Sequence, residues 1–86
     1  MTAPLIGEIR MFAGRFEPRG WALCDGRLLS ISRHSALFSV VGTAYGGDGM
    51  TNFALPDLRE RVPRHSHPGP EPSFIIALEG DFPARG

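Results

Sequence analysis

The chain has 86 residues, enough for one small domain, and its 42% apolar, 9% aromatic and 21% charged residues are a globular balance, not that of a disordered or membrane-embedded chain. Formal net charge is zero, with nine basic and nine acidic residues, so no global field recruits nucleic acid. Cys24 is the single cysteine, so no disulfide within the chain can reinforce a core that is marginal at this length. The reinforcements that remain are a metal or self-association, and an oligomer is expected.

All nine basic residues are arginine. The planar guanidinium suits paired carboxylates at protein contacts, although genome composition explains the same bias. The opening MTAPLIGEIR lacks a basic region followed by a long apolar run, so no signal peptide is expected, and no stretch is long enough to cross a membrane.

In chain order, PLIGEIRMFAG reads as a strand with one buried face that ends at Gly14. Pro18, Arg19 and Gly20 predict a turn and Trp21 to Cys24 a short strand. Asp25-Gly26 between apolar runs predicts a hairpin, with Arg27 to Ile31 as its returning strand. Ser32 is the expected cap of a short helix over RHSALFSVVG, where Leu37, Phe38 and Val41 make an apolar stripe and Gly42 suits the C-terminal end. Glycines 46, 47 and 49 predict a tight loop with positive φ angles, and Asp48 is expected to bond its local backbone. Phe53, Leu55, Pro56, Leu58 and Val62 read as an irregular extended segment interrupted by proline. HPGPEP is a stiff connector, and Phe74 to Leu78 a buried or intersubunit strand.

The fold class expected is therefore α+β, mainly β: short strands, one short helix and long irregular loops, completed by packing between subunits. Residues 1–65 form the main domain, 66–73 a proline-rich connector, and 74–86 a C-terminal strand and tail packing on the same or a neighbouring subunit.

Several signatures now line up: Gly20-Trp21, Cys24-Asp25-Gly26, Leu37-Phe38, Tyr45-Gly46-Gly47-Asp48-Gly49, and Phe53-Ala54-Leu55-Pro56-Asp57-Leu58-Arg59. This ordered set, spanning about Ile6 to His65, resembles the phage tail collar family, which includes the microcystin-dependent proteins. The resemblance implies a small β-rich domain that trimerises in phage fibres about a three-fold axis. Glu60 stands where the family usually has glycine. Only Ser66 to Ser73 join the collar part to the C-terminal strand, where longer members carry a variable region that contacts receptors. The chain reads as a minimal member that keeps the scaffold.

His65 and His67 lie two apart, with Pro63 and Pro68 on either side. One chain supplies two ligands, too few for a structural zinc site, but three chains on an axis would supply an octahedral set for zinc or iron. The resemblance adds that some trimeric phage fibres hold an axial metal through His-x-His. The plainer reading is two solvated loop histidines. Cys24, in an apolar strand, reads as a buried residue and not a nucleophile, and His34 as a surface residue. Asp57, Arg59, Glu60, Arg61 and Arg64 suggest a solvated face or ion pairing across subunits, with Asp57 and Arg59 in positions that match the family. Trp21 reads as a core anchor, with an exposed sugar-binding ring as the alternative.

The expected function is a non-enzymatic structural subunit: a homotrimer, stacking into fibres, of a phage virion tail or an extracellular fibre. Phe74, Ile75, Ile76 and Leu78 would extend a neighbour's sheet by β-augmentation, with Trp21, Asp57 and Arg59 also in the assembly. The alternative is an adhesin module that binds a host receptor or glycan. Neither nucleic acid nor membrane insertion is expected.

Overall fold

The computed structural model describes residues 3–61 and 71–84. Five short strands, one helix and a 3-10 turn follow in order: β1 (Ile9–Phe12), β2 (Trp21–Leu23), β3 (Leu28–Ser30), α1 (Ser35–Val41), β4 (Asn52–Ala54), the turn Arg59–Arg61, and β5 (Ser73–Ala77). Two antiparallel sheets result, one of order β1-β5-β2 and one pairing β3 with β4. The fold class is α+β, mainly β.

β5, the last element, lies at the centre of the larger sheet, between β1 and β2 of the same chain. Its composition suits that place: Ile75, Ile76 and Ala77 are all buried, as a strand needs when side chains cover both of its faces. Residues directly opposite in an antiparallel pair share a face. Ile76 is opposite both Ile9 and Ala22, and Phe74 is opposite Met11, so these five share one face. Arg10, Phe12, Trp21, Leu23, Ile75 and Ala77 share the other.

The first face packs on the core. Ile76, Ala22 and Cys24 meet Leu37 of the helix, Phe53 and Leu55 from β4 and beyond, and Ile6. Burying each large aliphatic or aromatic member contributes roughly 1.5–3 kcal/mol. Phe38 leans on Phe53 with ring centroids 5.3 Å apart, tying the helix to the smaller sheet.

Three sequence expectations are corrected. Asp25-Gly26 does not close a hairpin, because β2 pairs with β5 and β3 with β4. The Asp25 carboxylate instead accepts the Arg27 N–H at 3.2 Å, and Gly26 at φ +81° turns the chain from one sheet to the other. Ser32 does not cap the helix. Its hydroxyl bonds that of Ser30 at 2.9 Å, and His34 occupies the cap position without a side-chain cap bond. Part of the segment read as irregular is regular: Asn52–Ala54 pairs with β3 because Phe53 opposite Leu29 places both on one apolar face.

The glycine loop matches its reading. Gly46, Gly47 and Gly49 have φ of +128°, +95° and +73°. Asp48 organises it, accepting the N–H groups of Met50 (2.8 Å), Thr51 (2.8 Å) and Asn52 (3.0 Å). Gly42 closes the helix with its N–H on the Phe38 carbonyl at 2.7 Å.

Candidate assembly surface

β1 is an edge strand, and its outer edge pairs with no other strand among the described residues. Edge strands are usually protected by charge, proline or a bulge. On β1, Ile9 is 39% and Met11 51% exposed. Both lie on the core-side face, yet the core draws on β2 and β5 and includes no β1 residue, so they project past its rim. Leu5 and Phe82 are exposed as well, carried on segments joined by a bridge between Leu5 and Asp81. Phe16, Leu28, Tyr45 and Met50 complete the large apolar side chains exposed among the described residues.

Sequence-predicted assembly residues fall into three groups. Phe74, Ile75 and Ile76 belong to β5, and Leu78 follows it, donating its N–H to the Gly20 carbonyl at 2.8 Å. Trp21 is half-buried on the far face of the larger sheet, with the Arg10 guanidinium carbon 5.3 Å from its ring centroid. Asp57 and Arg59 pair with each other, Arg59 donating through Nη2 at 2.7 Å and Nε at 2.9 Å. Those two charge-assisted bonds pull the Asp57 carboxyl down to about 2. The pair is solvent-exposed, so its contribution to stability is small.

A second pair of the same form was not read from the sequence. Arg27 donates to both oxygens of Asp25 (3.0 and 2.9 Å) and reaches Glu17 at 2.8 Å, holding the loop before β2 to the corner after it. The signal was available: Asp25-Gly26-Arg27 and Asp57-Leu58-Arg59 have the same spacing. Asp25 and Asp57 form a β-bridge, so the two clamps stand side by side. Gly26 suits that corner: its φ of +81° favours glycine, and a Cβ would crowd that of Asp57 at 3.2 Å.

Cys24 is only 3% exposed, and burial, with the Asp25 charge adding, pushes its thiol up to about 11. Such a thiol stays protonated near neutral pH and is a poor nucleophile. Among the described residues, no group of three or more His, Cys, Asp or Glu side chains could hold a metal. His65 and His67 lie outside the described residues. No helix among the described residues is long and apolar enough to cross a membrane.

The model of the Phage Tail Collar Domain family matches residues 7–63, β1 through the Arg59–Arg61 turn. The chain belongs to the phage tail collar domain family. A collar domain is a structural domain of phage tail fibres, which places this chain's role in the tail, and collar domains in tail fibres generally form oligomers. A search among curated proteins gives no match. The collar match ends before β5, although the sheet of this collar domain is built around that strand.

Proposed function

We propose that this collar domain is a non-enzymatic subunit of a homotrimeric fibre, in a phage-tail-like or extracellular assembly. The observation that carries the reading is the unpaired edge of β1, where Ile9 and Met11 are exposed on either side of Arg10. A second copy that paired with this edge would satisfy free backbone groups and cover both side chains. Covering the exposed half of each contributes about 1 kcal/mol per residue. Residues 66–73 act as the connector that delivers the C-terminal strand, and Trp21 and the Asp57–Arg59 pair take part in the assembly away from that edge, on the β2 side.

The test is native mass spectrometry of the full chain beside Met11→Arg. The expected species is a trimer of about 28 kDa, three times the 9.4 kDa of one chain, and the variant is expected to be a folded monomer. A parent chain that stays monomeric at every concentration overturns the proposal. The adhesin alternative has one observation in its favour, the 55% exposure of Tyr45 in the glycine loop.

A further inference from the structure

We propose that the collar domain carries a binding site for an acidic sugar, in the cleft between the start of the helix and the end of β5. This inference goes beyond the assembly reading and does not rest on it. The cleft is open, about 660 Å³, and lined by Arg19, Arg33, His34, Leu37, Leu78 and Glu79 among others. That volume is in the range of small-molecule sites, roughly 300–1,000 Å³.

The charges point to an anion. Arg10, Arg27 and Arg59 each pair with a carboxylate close in sequence. Arg19 and Arg33, in contrast, form no ion pair among the described residues, yet they reach the same cleft from two distant parts of the chain. Two arginines and a histidine lining one cleft supply the donors that a phosphate or carboxylate would need.

A second hollow of about 290 Å³ adjoins the first, sharing Arg19, Gly20 and Glu79, with Pro4 and Trp21 on its far wall. Glu79 sits where the two meet. Its carboxylate lines both hollows, so it opposes an anion set close to it and leaves the anionic end to the arginine side of the cleft, while it accepts hydrogen bonds from hydroxyls. Gly20 comes close to it: at φ +83°, a Cβ on Gly20 would be 3.0 Å from Glu79 Oε1. The ligand that suits both hollows has one anionic end, set between Arg19 and Arg33, and a compact hydroxyl-bearing ring that reaches Glu79 and Trp21. An acidic monosaccharide unit has that form, with the anion either a phosphate or a ring carboxylate.

The experiment is an NMR titration of the ¹⁵N-labelled full chain in its native assembly with glucose 6-phosphate, glucuronate, glucose and inorganic phosphate. Glucose 6-phosphate, glucuronate or both are expected to shift the amides of Arg19, Gly20, Arg33 and Glu79 at millimolar concentration, and the stronger identifies the anion. Glucose is expected to leave them in place, and inorganic phosphate to bind more weakly and spare Trp21. Arg19→Ala and Arg33→Ala should each weaken binding by about ten-fold, whereas Arg15→Ala, exposed and outside both hollows, should not. No shift with either acidic sugar, equal loss in all three variants, or inorganic phosphate binding as well as the sugars overturns the proposal.

Discussion

Replacing Gly47 by alanine tests whether the glycine loop is a structural part of the smaller sheet. A Cβ at Gly47 would lie 2.4 Å from Phe53 Cα and 2.9 Å from the Asn52 carbonyl oxygen. Both obstacles are backbone, so no rotamer change relieves the contact, and the loop must lift from β4. Its φ of +95° is also a conformation that an L side chain adopts at a cost of about 1–2 kcal/mol. Lifting the loop breaks the bonds from Ala54 N–H to Gly46 (3.0 Å) and from Gly49 N–H to Asn52 (3.0 Å). Each contributes about 0.5–1.5 kcal/mol. The combined loss is about 3 kcal/mol, against a total stability of roughly 4–13 kcal/mol at this length. Urea unfolding followed by the fluorescence of Trp21, in the other sheet, should show a midpoint lowered by about 2–3 M, given a slope near 1 kcal/mol per molar. Met50→Ala, in the same loop but 84% exposed, should shift it little. A Gly47→Ala midpoint within about 0.5 M of the parent would refute the reasoning.

Cys24 should resist alkylation at pH 8 in the folded protein and react promptly in urea, because burial holds its thiol near 11; rapid labelling of the native chain would contradict its place in the core. Asp48 accepts three backbone N–H bonds that hold its carboxyl well below the ordinary 3.8. Its contribution is therefore full above that value and falls as pH drops through and below it. The urea midpoints of the parent and Asp48→Ala should stay a constant distance apart from pH 7 to about pH 5 and converge as pH falls below about 4, and a gap that stays constant below about 4 would exclude the linkage. Truncation after Pro72 removes the centre of the larger sheet and should abolish cooperative unfolding; a truncated chain that stays folded as a monomer would show that the sheet does not need β5 from its own chain.

What was legible in the sequence was local. The loop from Tyr45 to Thr51 declares itself, because the need for positive φ and an aspartate that bonds its neighbours' N–H groups are properties of a few adjacent residues. The helix over Leu37 and its closing Gly42 are local in the same way. The hairpin at Asp25-Gly26 was misread because the turn signal is local while the choice of strand partner is not. Ile76 comes to lie opposite Ala22 from far along the chain, and nothing within Trp21 to Ile31 encodes that competition. The exposure of Ile9 and Met11 was illegible for a related reason. Alternation shows which residues share a face, but how far the core extends under that face depends on where the helix settles. Arg19 and Arg33 likewise come to line one cleft only through the fold.

The position of β5 bears on how such a subunit can associate. A strand flanked on both sides within its own chain has no backbone donors left for a neighbour, so donating it would mean withdrawing it from β1 and β2. Withdrawal would uncover Ala22, which faces Ile76 in the core, and leave both flanking strands unpaired along their inner edges. Exchange between identical chains restores those contacts, so a swapped trimer and an unswapped one differ mainly in the path taken by the connector. In either case the outer edge of β1 stays open, and Ile9 and Met11 stay beside it. In the assembly proposed above, the drive to associate would therefore fall on the first strand of the chain, while the last strand determines whether there is a sheet for it to border.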